Sequence, residues 1–342
     1  MPLDLSNTLV VGISATALFD LGEEDSLFQE LSKEDPESAI TKYRAQMLER
    51  EDMELNAGTG YPLVMSLLKL NRFQKSGEPP LVEIVVLSRN SPETGLRVLK
   101  TIRQKGMAIS RSAFTGGETV TDYLEAFDVD LFLTTSKTDA QKVVDSRVCA
   151  AAVLLKPPGG IAADGDDQVR IAFDGDAVLF NEESEVVYKT SGIEAFHRAE
   201  DEAQDIPLAE GPHASLLKKL SALQERLPMS IESSPVRIAI VTARNSPAEM
   251  RVIKTLRNWG VYADEAFFLG GVEKKKVLEA FKAHIFFDDQ DAHLVNASQV
   301  VPSGKVPYPS GSPLEDQPIA VVLPDEDQSG PVARNESIAG EK

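Results

Sequence analysis

The chain carries the same stretch twice. An apolar run, Leu81–Leu87, leads into Ser88-Arg89-Asn90-Ser91-Pro92, and a second, Arg237–Val241, leads into Thr242-Ala243-Arg244-Asn245-Ser246-Pro247. Arg97, Val98, Lys100, Thr101 and Arg103 then recur as Arg251, Val252, Lys254, Thr255 and Arg257, 154 positions on and without a gap. Gly106 recurs as Gly260, Phe114-Thr115-Gly116-Gly117 as Phe268-Leu269-Gly270-Gly271, and Leu124-Glu125-Ala126-Phe127 as Leu278-Glu279-Ala280-Phe281. Shared helix propensity does not hold identities at a fixed offset, so the chain is two copies of one unit. Each copy reads strand, helix closed by a glycine, strand, helix, strand, which predicts a mainly parallel sheet with helices on its faces. Another strand precedes each copy: Leu9–Ile13 runs into Ser14-Ala15-Thr16, and Arg170–Phe173 runs into Asp174-Gly175-Asp176. Helices are expected over 37–53 and 62–71, and Val301–Pro313, with four prolines and two glycines, reads as an irregular closing segment.

The two copies differ in charge. Asp288 and Asp289, past the last strand of the second copy, stand opposite Thr134 and Thr135. Lys274 stands opposite Val120, and Asp174 and Asp176 opposite Ser14 and Thr16. The chemistry therefore belongs to the second copy, and the first is expected to support it or add binding surface. In a parallel sheet the strand ends that carry Asp174, Thr242 and Asp288 lie along one edge, where such sheets bind ligands. Two carboxylates split by one residue can act as nucleophile and proton donor when their surroundings differ. With a hydroxyl, a lysine and further carboxylates for a divalent cation, the set meets the needs of phosphoryl transfer. Each member alone has an ordinary reading: an Asp-Gly turn, a Thr242 helix cap, a solvated Asp288-Asp289 strand end. Arg244, shared with the uncharged copy's Arg89, reads as structural. His197 and His213 read as surface residues of an inserted segment, and His293 as a lesser candidate for touching substrate.

Composition narrows the partners. A net charge of −19 argues against nucleic-acid polymers and anionic membranes. Cys149 is the single cysteine and lies in an apolar run, as a buried structural thiol would. No apolar run approaches bilayer length, and the first residues lack the basic start of a signal peptide. A cytoplasmic protein is the expectation.

The phrases RIAFDGDAVLF, VTAR, FLGG followed by a lysine, and FFDDQ, in that order, resemble the four motifs of the haloacid-dehalogenase-like phosphatases. With PLAEGP, KTLRNWG, DEAFFLGG and HIFFDDQDAH, and with ALFDL and FTGG in the first copy, the chain is similar to the cytosolic 5′-nucleotidase I family over about residues 9–309. The resemblance implies magnesium-dependent hydrolysis of nucleoside 5′-monophosphates. It casts Asp174 as the nucleophile that becomes an aspartyl-phosphate, and Asp176 as general acid, then base. Thr242 and Lys274 would bind phosphate, with Lys275 as the alternative lysine. Magnesium would be held from among Asp174, Asp176, Asp288 and Asp289. The alternatives are a phosphatase of another small phosphomonoester and a non-catalytic nucleotide-binding regulator.

The expected architecture is α/β: two haloacid-dehalogenase-like Rossmannoid units with mainly parallel sheets, and a small helical cap in the second. Residues 1–150 form the degenerate unit and 151–325 the catalytic one. The cap spans about 181–235, built on helices near 193–202 and 216–227. Residues 326–342 read as a disordered acidic tail. Homo-oligomers are left open.

Overall fold

A computed structural model describes residues 4–156, 168–228 and 234–315. The predicted tail lies outside these residues. The strands of the main sheet are β1 (Leu9–Ile13), β2 (Val82–Ser88), β3 (Arg111–Phe114), β4 (Leu131–Thr134) and β5 (Ala150–Leu154) in the first half. The second half holds β6 (Val169–Phe173), β7 (Val236–Thr242), β8 (Glu265–Phe268), β9 (Ile285–Asp288) and β10 (Ser303–Lys305). They make one ten-stranded sheet in the order β8-β7-β6-β9-β10-β5-β4-β1-β2-β3. The order reads alike from either end, with the repeat written into it. Within each half every pairing is parallel. The α/β class and the mainly parallel sheet read from the sequence are those observed.

The halves meet where β5 and β10 pair antiparallel, Gly304 opposite Leu154 and Lys305 opposite Val153. This pairing points the strands of the two halves in opposite directions. The C-terminal strand ends of the first half thus lie on the opposite sheet edge from those of the second. Neither β5 nor β10 was expected. The first is three alanines before Val153 and Leu154, and the second is Ser-Gly-Lys inside the segment read as irregular. β10 exists because β5 and β9 flank it with partners for its backbone.

Between β1 and β2 stand α1 (Gly22–Glu34), α2 (Ala39–Glu49) and α3 (Tyr61–Lys69), of which α1 was not expected. Between β6 and β7 stand α4 (Glu183–Glu202) and α5 (Ala214–Glu225). Both halves therefore hold a helical insertion at the same place. The copies agree in detail: the Arg97 guanidinium donates to the Met53 carbonyl as Arg251 does to that of Ile206, and Thr101 and Thr255 accept from the amides of Leu55 and Leu208. Leu216, Leu217, Leu220 and Leu223 turn α5 into the core, as Leu63, Val64, Leu67 and Leu70 do for α3 and the residue after it. The segment expected to act wholly as a cap is thus divided. Helix α5 packs on the sheet as a crossover, and α4 extends towards the site. Helix α4 breaks at Gly192, whose φ of 80° and ψ of 176° suit only glycine.

Candidate active site

Strand β6 runs into Asp174, whose amide donates to the Phe287 carbonyl of β9 at 2.8 Å. The following turn closes with the Phe180 amide donating to the Gly175 carbonyl at 2.9 Å. The residue with positive φ in this turn is Ala177 (φ 56°), not Gly175. Gly175 is needed for a different reason. A Cβ there would stand 3.2 Å from the Thr242 hydroxyl, so its absence lets β7 bring Thr242 against the loop.

Lys274 lies between two carboxylates. Its Nζ is 2.9 Å from Asp174 Oδ2 and 2.7 Å from Asp288 Oδ2, and all three side chains are buried. Lys275, the alternative lysine, reaches Gln299 instead. His293 Nδ1 lies 3.2 Å from Asp288 Oδ2, and the Gln290 amide donates to Asp288 Oδ1 at 2.8 Å. Asp174, Asp288 and His293 offer donor atoms that all lie within 4.8 Å of one another. Asp289 points elsewhere. One of its oxygens accepts from the Tyr308 hydroxyl, and the other is buried with no partner among the described residues. Thr242 is buried, and its hydroxyl accepts from the Arg244 amide at 3.3 Å. It caps no helix, since the next one, α6 (Glu249–Asn258), has Ala248 at its N-cap.

The cluster has more carboxylates than cations. Burial pushes the Asp174 carboxyl up to about 7; Lys274 opposes this and the Asp288 charge adds to it. Burial and the charges of Glu185, Asp288 and Asp174 raise Asp289 well above the usual carboxylate range. Burial also acts against the charged form of Lys274, but the two carboxylates more than offset it and its affinity for the proton rises. Burial acts against Asp288 likewise, and Lys274 and His293 hold it below the usual range.

Asp176 faces the other way. Its two oxygens accept from Arg244, Oδ2 from Nε at 2.8 Å and Oδ1 from an Nη at 2.6 Å. Arg244 also donates to Glu200 of α4 at 2.5 Å, and Glu200 accepts from Arg251 at 3.0 Å and from the Ser184 hydroxyl at 2.7 Å. A cavity of about 530 Å³ opens over Asp174, Asp176 and Thr242, walled by Tyr188, Ile193 and Phe196 of α4. All its lining residues lie between 174 and 293, so the first half supports the cavity without lining it. On the opposite edge Ser14, Thr16 and Thr135 form a chain of hydroxyl contacts at 3.1 and 2.6 Å, with no carboxylate in it.

A sequence model of the 5′-nucleotidase family matches residues 1–312. The chain belongs to the 5′-nucleotidase family. Human cytosolic 5′-nucleotidase 1B is 31% identical to it over 300 residues, 86% of this chain and 48% of the human protein. The chain thus spans about half the length of that relative. Among the described residues no helix is long and apolar enough to cross a membrane.

In this 5′-nucleotidase-family chain, Asp174, Thr242, Lys274 and Asp288 gather as the motif order suggested. Arg244, read as structural because Arg89 stands opposite it, sits in surroundings unlike those of Arg89. The strand registers match at 154, since Ser88 pairs with Phe114 as Thr242 pairs with Phe268. Arg244 is therefore displaced by one inserted residue, Ala243. Arg89 is 46% exposed and donates to the Gly117 carbonyl, whereas Arg244 is 1% exposed and grips Asp176. The one-residue shift in the RNSP alignment was the available signal. His213 is no surface residue: it is fully buried, its ring 4.9 Å from that of Phe287. His197 does lie near the surface, with Nε2 2.9 Å from Asn245 Oδ1.

Proposed function

We propose that this chain is a magnesium-dependent 5′-nucleotidase that hydrolyses nucleoside 5′-monophosphates through an aspartyl-phosphate on Asp174. The observation that carries this reading is the buried trio Asp174–Lys274–Asp288, whose Asp174 opens onto a cavity with an aromatic wall. The volume of about 530 Å³ lies within the range of small-ligand pockets, and the wall of Tyr188, Ile193 and Phe196 suits a ligand with an apolar, planar end. Membership of the 5′-nucleotidase family and the name of the human relative support the same substrate class.

The residues divide the work. An Asp174 oxygen attacks phosphorus as the bond from phosphorus to O5′ breaks, and Asp176 gives its proton to O5′. Water then attacks the aspartyl-phosphate while Asp176 takes its proton, which frees phosphate and restores both acids. Lys274 and the Thr242 hydroxyl hold the phosphoryl oxygens where charge builds up. The site fits a hard divalent cation, because Asp174 and Asp289 are both pushed towards protonation and Asp289 keeps an unpartnered buried oxygen. Asp174 and Asp288 would hold it, with His293 beside them and Asp289 in support. When bound, magnesium supplies positive charge to the phosphoryl oxygens. The name of the human relative, a cytosolic 5′-nucleotidase, also supports a cytoplasmic enzyme that acts on free nucleotides.

The test is phosphate release from the full chain across the common nucleoside monophosphates and a set of sugar phosphates, with and without a chelator. Turnover is expected with nucleotides, to stop on chelation, and to vanish in Asp174→Asn. Equal turnover of sugar phosphates would favour the broader phosphatase reading.

A further inference from the structure

Arg244 is a heavily engaged cation of the second half, and the chemistry above gives it no task. Its guanidinium meets Asp176 with two donors in parallel and Glu200 with a third. Its planar faces lie near two rings, 5.9 Å from the centre of Phe180 and 5.3 Å from that of Phe196. A guanidinium bound through three donors and flanked by two rings has little freedom, so it fixes whatever it grips. Asp176, by contrast, sits in a turn without helical support and next to Ala177 in a left-handed conformation. Among the described residues, Arg244 makes the hydrogen bonds that restrain the Asp176 carboxylate.

We propose that Arg244 is the positioning residue for Asp176, and that Glu200 ties this positioning to the seating of α4. Two arginines and two carboxylates form the network: Arg244, Arg251, Asp176 and Glu200. Asp176 and Arg244 belong to the sheet edge, Arg251 to α6, and Glu200 to the inserted helix that walls the cavity. Each oxygen of a carboxylate has two lone pairs, so the fork from Arg244 occupies one on each and leaves one on each for the reacting proton. The first half supplies the contrast. There Arg97 pairs with Glu24 of α1, as Arg251 pairs with Glu200, but Thr16 stands in place of Asp176 and Arg89 turns away to Gly117. The pair that ties the insertion to the helix after the second strand is common to both halves. In the first half Arg89 reaches the buried Asp139 with one donor at 3.4 Å, whereas the two-donor grip on the acid after the first strand belongs to Arg244 and coincides with the insertion of Ala243.

This inference rests on the nucleotidase reading, in which Asp176 protonates the leaving oxygen. Its test compares a nucleoside 5′-monophosphate with the same nucleotide carrying sulfur in place of O5′. The base and sugar contacts are unchanged, but a thiolate, whose acid titrates near 8.5, leaves without a proton. Arg244→Lys keeps the charge and removes the fork. It is expected to lower kcat/KM for the oxygen substrate about 100-fold, within the usual worth of a placed acid, and for the sulfur substrate less than about threefold. Glu200→Gln, far from the reacting atoms, is expected to show the same asymmetry at about tenfold. It carries the test alone if Arg244→Lys does not melt cooperatively. Equal losses on both substrates, or no loss on either, overturn the proposal. Phosphate release that survives Asp174→Asn would instead remove the nucleotidase reading beneath it.

Discussion

Lys274 balances two carboxylates, and among the described residues the other basic side chain beside them is His293. Removing one partner of a buried ion pair leaves an uncompensated charge, so Lys274→Met is expected to abolish turnover and cost about 3–5 kcal/mol. Urea denaturation reads the cost, and Lys275→Met, whose side chain meets Gln299, is the control expected within about 0.5 kcal/mol of wild type. His213 makes a separate claim. Neither ring nitrogen has a partner among the described residues, and burial pulls its affinity for the proton down to about 3. The unfolded chain takes up this proton below about 6.5 and the folded chain does not until about 3, so folding stability falls as pH drops through that window. At pH 5 the loss is about 2 kcal/mol. His213→Phe, placed among Phe173 and Phe287, is expected to remove this part of the acid sensitivity, read as the difference in urea midpoints at pH 7 and pH 5. The motif acids and the lysine were legible because their order along the chain restricts the chemistry. His213 was not, since it lies just ahead of the leucine-rich helix α5 and no local pattern marks an imidazole as core.

Helix α4 carries the wall of the cavity on both sides of its break at Gly192: Tyr188 comes before, Ile193 and Phe196 after. The break sets the angle between these side chains. An alanine at a φ of 80° and ψ of 176° costs about 1–3 kcal/mol, and straightening the helix would relieve that cost while moving the wall. Gly192→Ala is therefore expected to raise KM for nucleotides several-fold more than it lowers kcat. Steady-state kinetics decide, and a fall in kcat with KM unchanged would show that the break serves the chemistry and not the wall. The later part of this helix was readable from its apolar spacing, but its start and its break were not, because Gly192 alone in a helical pattern reads as a mild weakness. The same limit hid β10. Ser-Gly-Lys has no apolar alternation, and only its neighbours β5 and β9 make it a strand.

At the scale of the molecule, the repeat announced two like units and the order of elements along each, yet it was silent on how they join. The joint is made of backbone pairing between β5 and β10, and the copies have no partner for it within themselves. One apolar cluster runs through both halves, from Leu9 and Ile13 through Leu154 to Ile171, Ile285 and Val306. Sheet and core are thus shared, and the chain is expected to unfold in one transition despite its duplicated plan. Trp259, the single tryptophan, packs near Phe180 in the second half, so its fluorescence reports that half, while far-ultraviolet circular dichroism reports both. The two signals are expected to share one urea midpoint. Gly304 tests the joint itself. A Cβ there would meet that of Ala152 at 3.0 Å and the Phe287 ring at 3.2 Å, which wedges the halves apart just below Asp288. Gly304→Val is expected to cost about 1–3 kcal/mol and to move both midpoints together. If the fluorescence midpoint moved alone and left a second, unshifted dichroism transition, each half would hold its own fold, and the first would be a companion of the catalytic half, not part of its foundation.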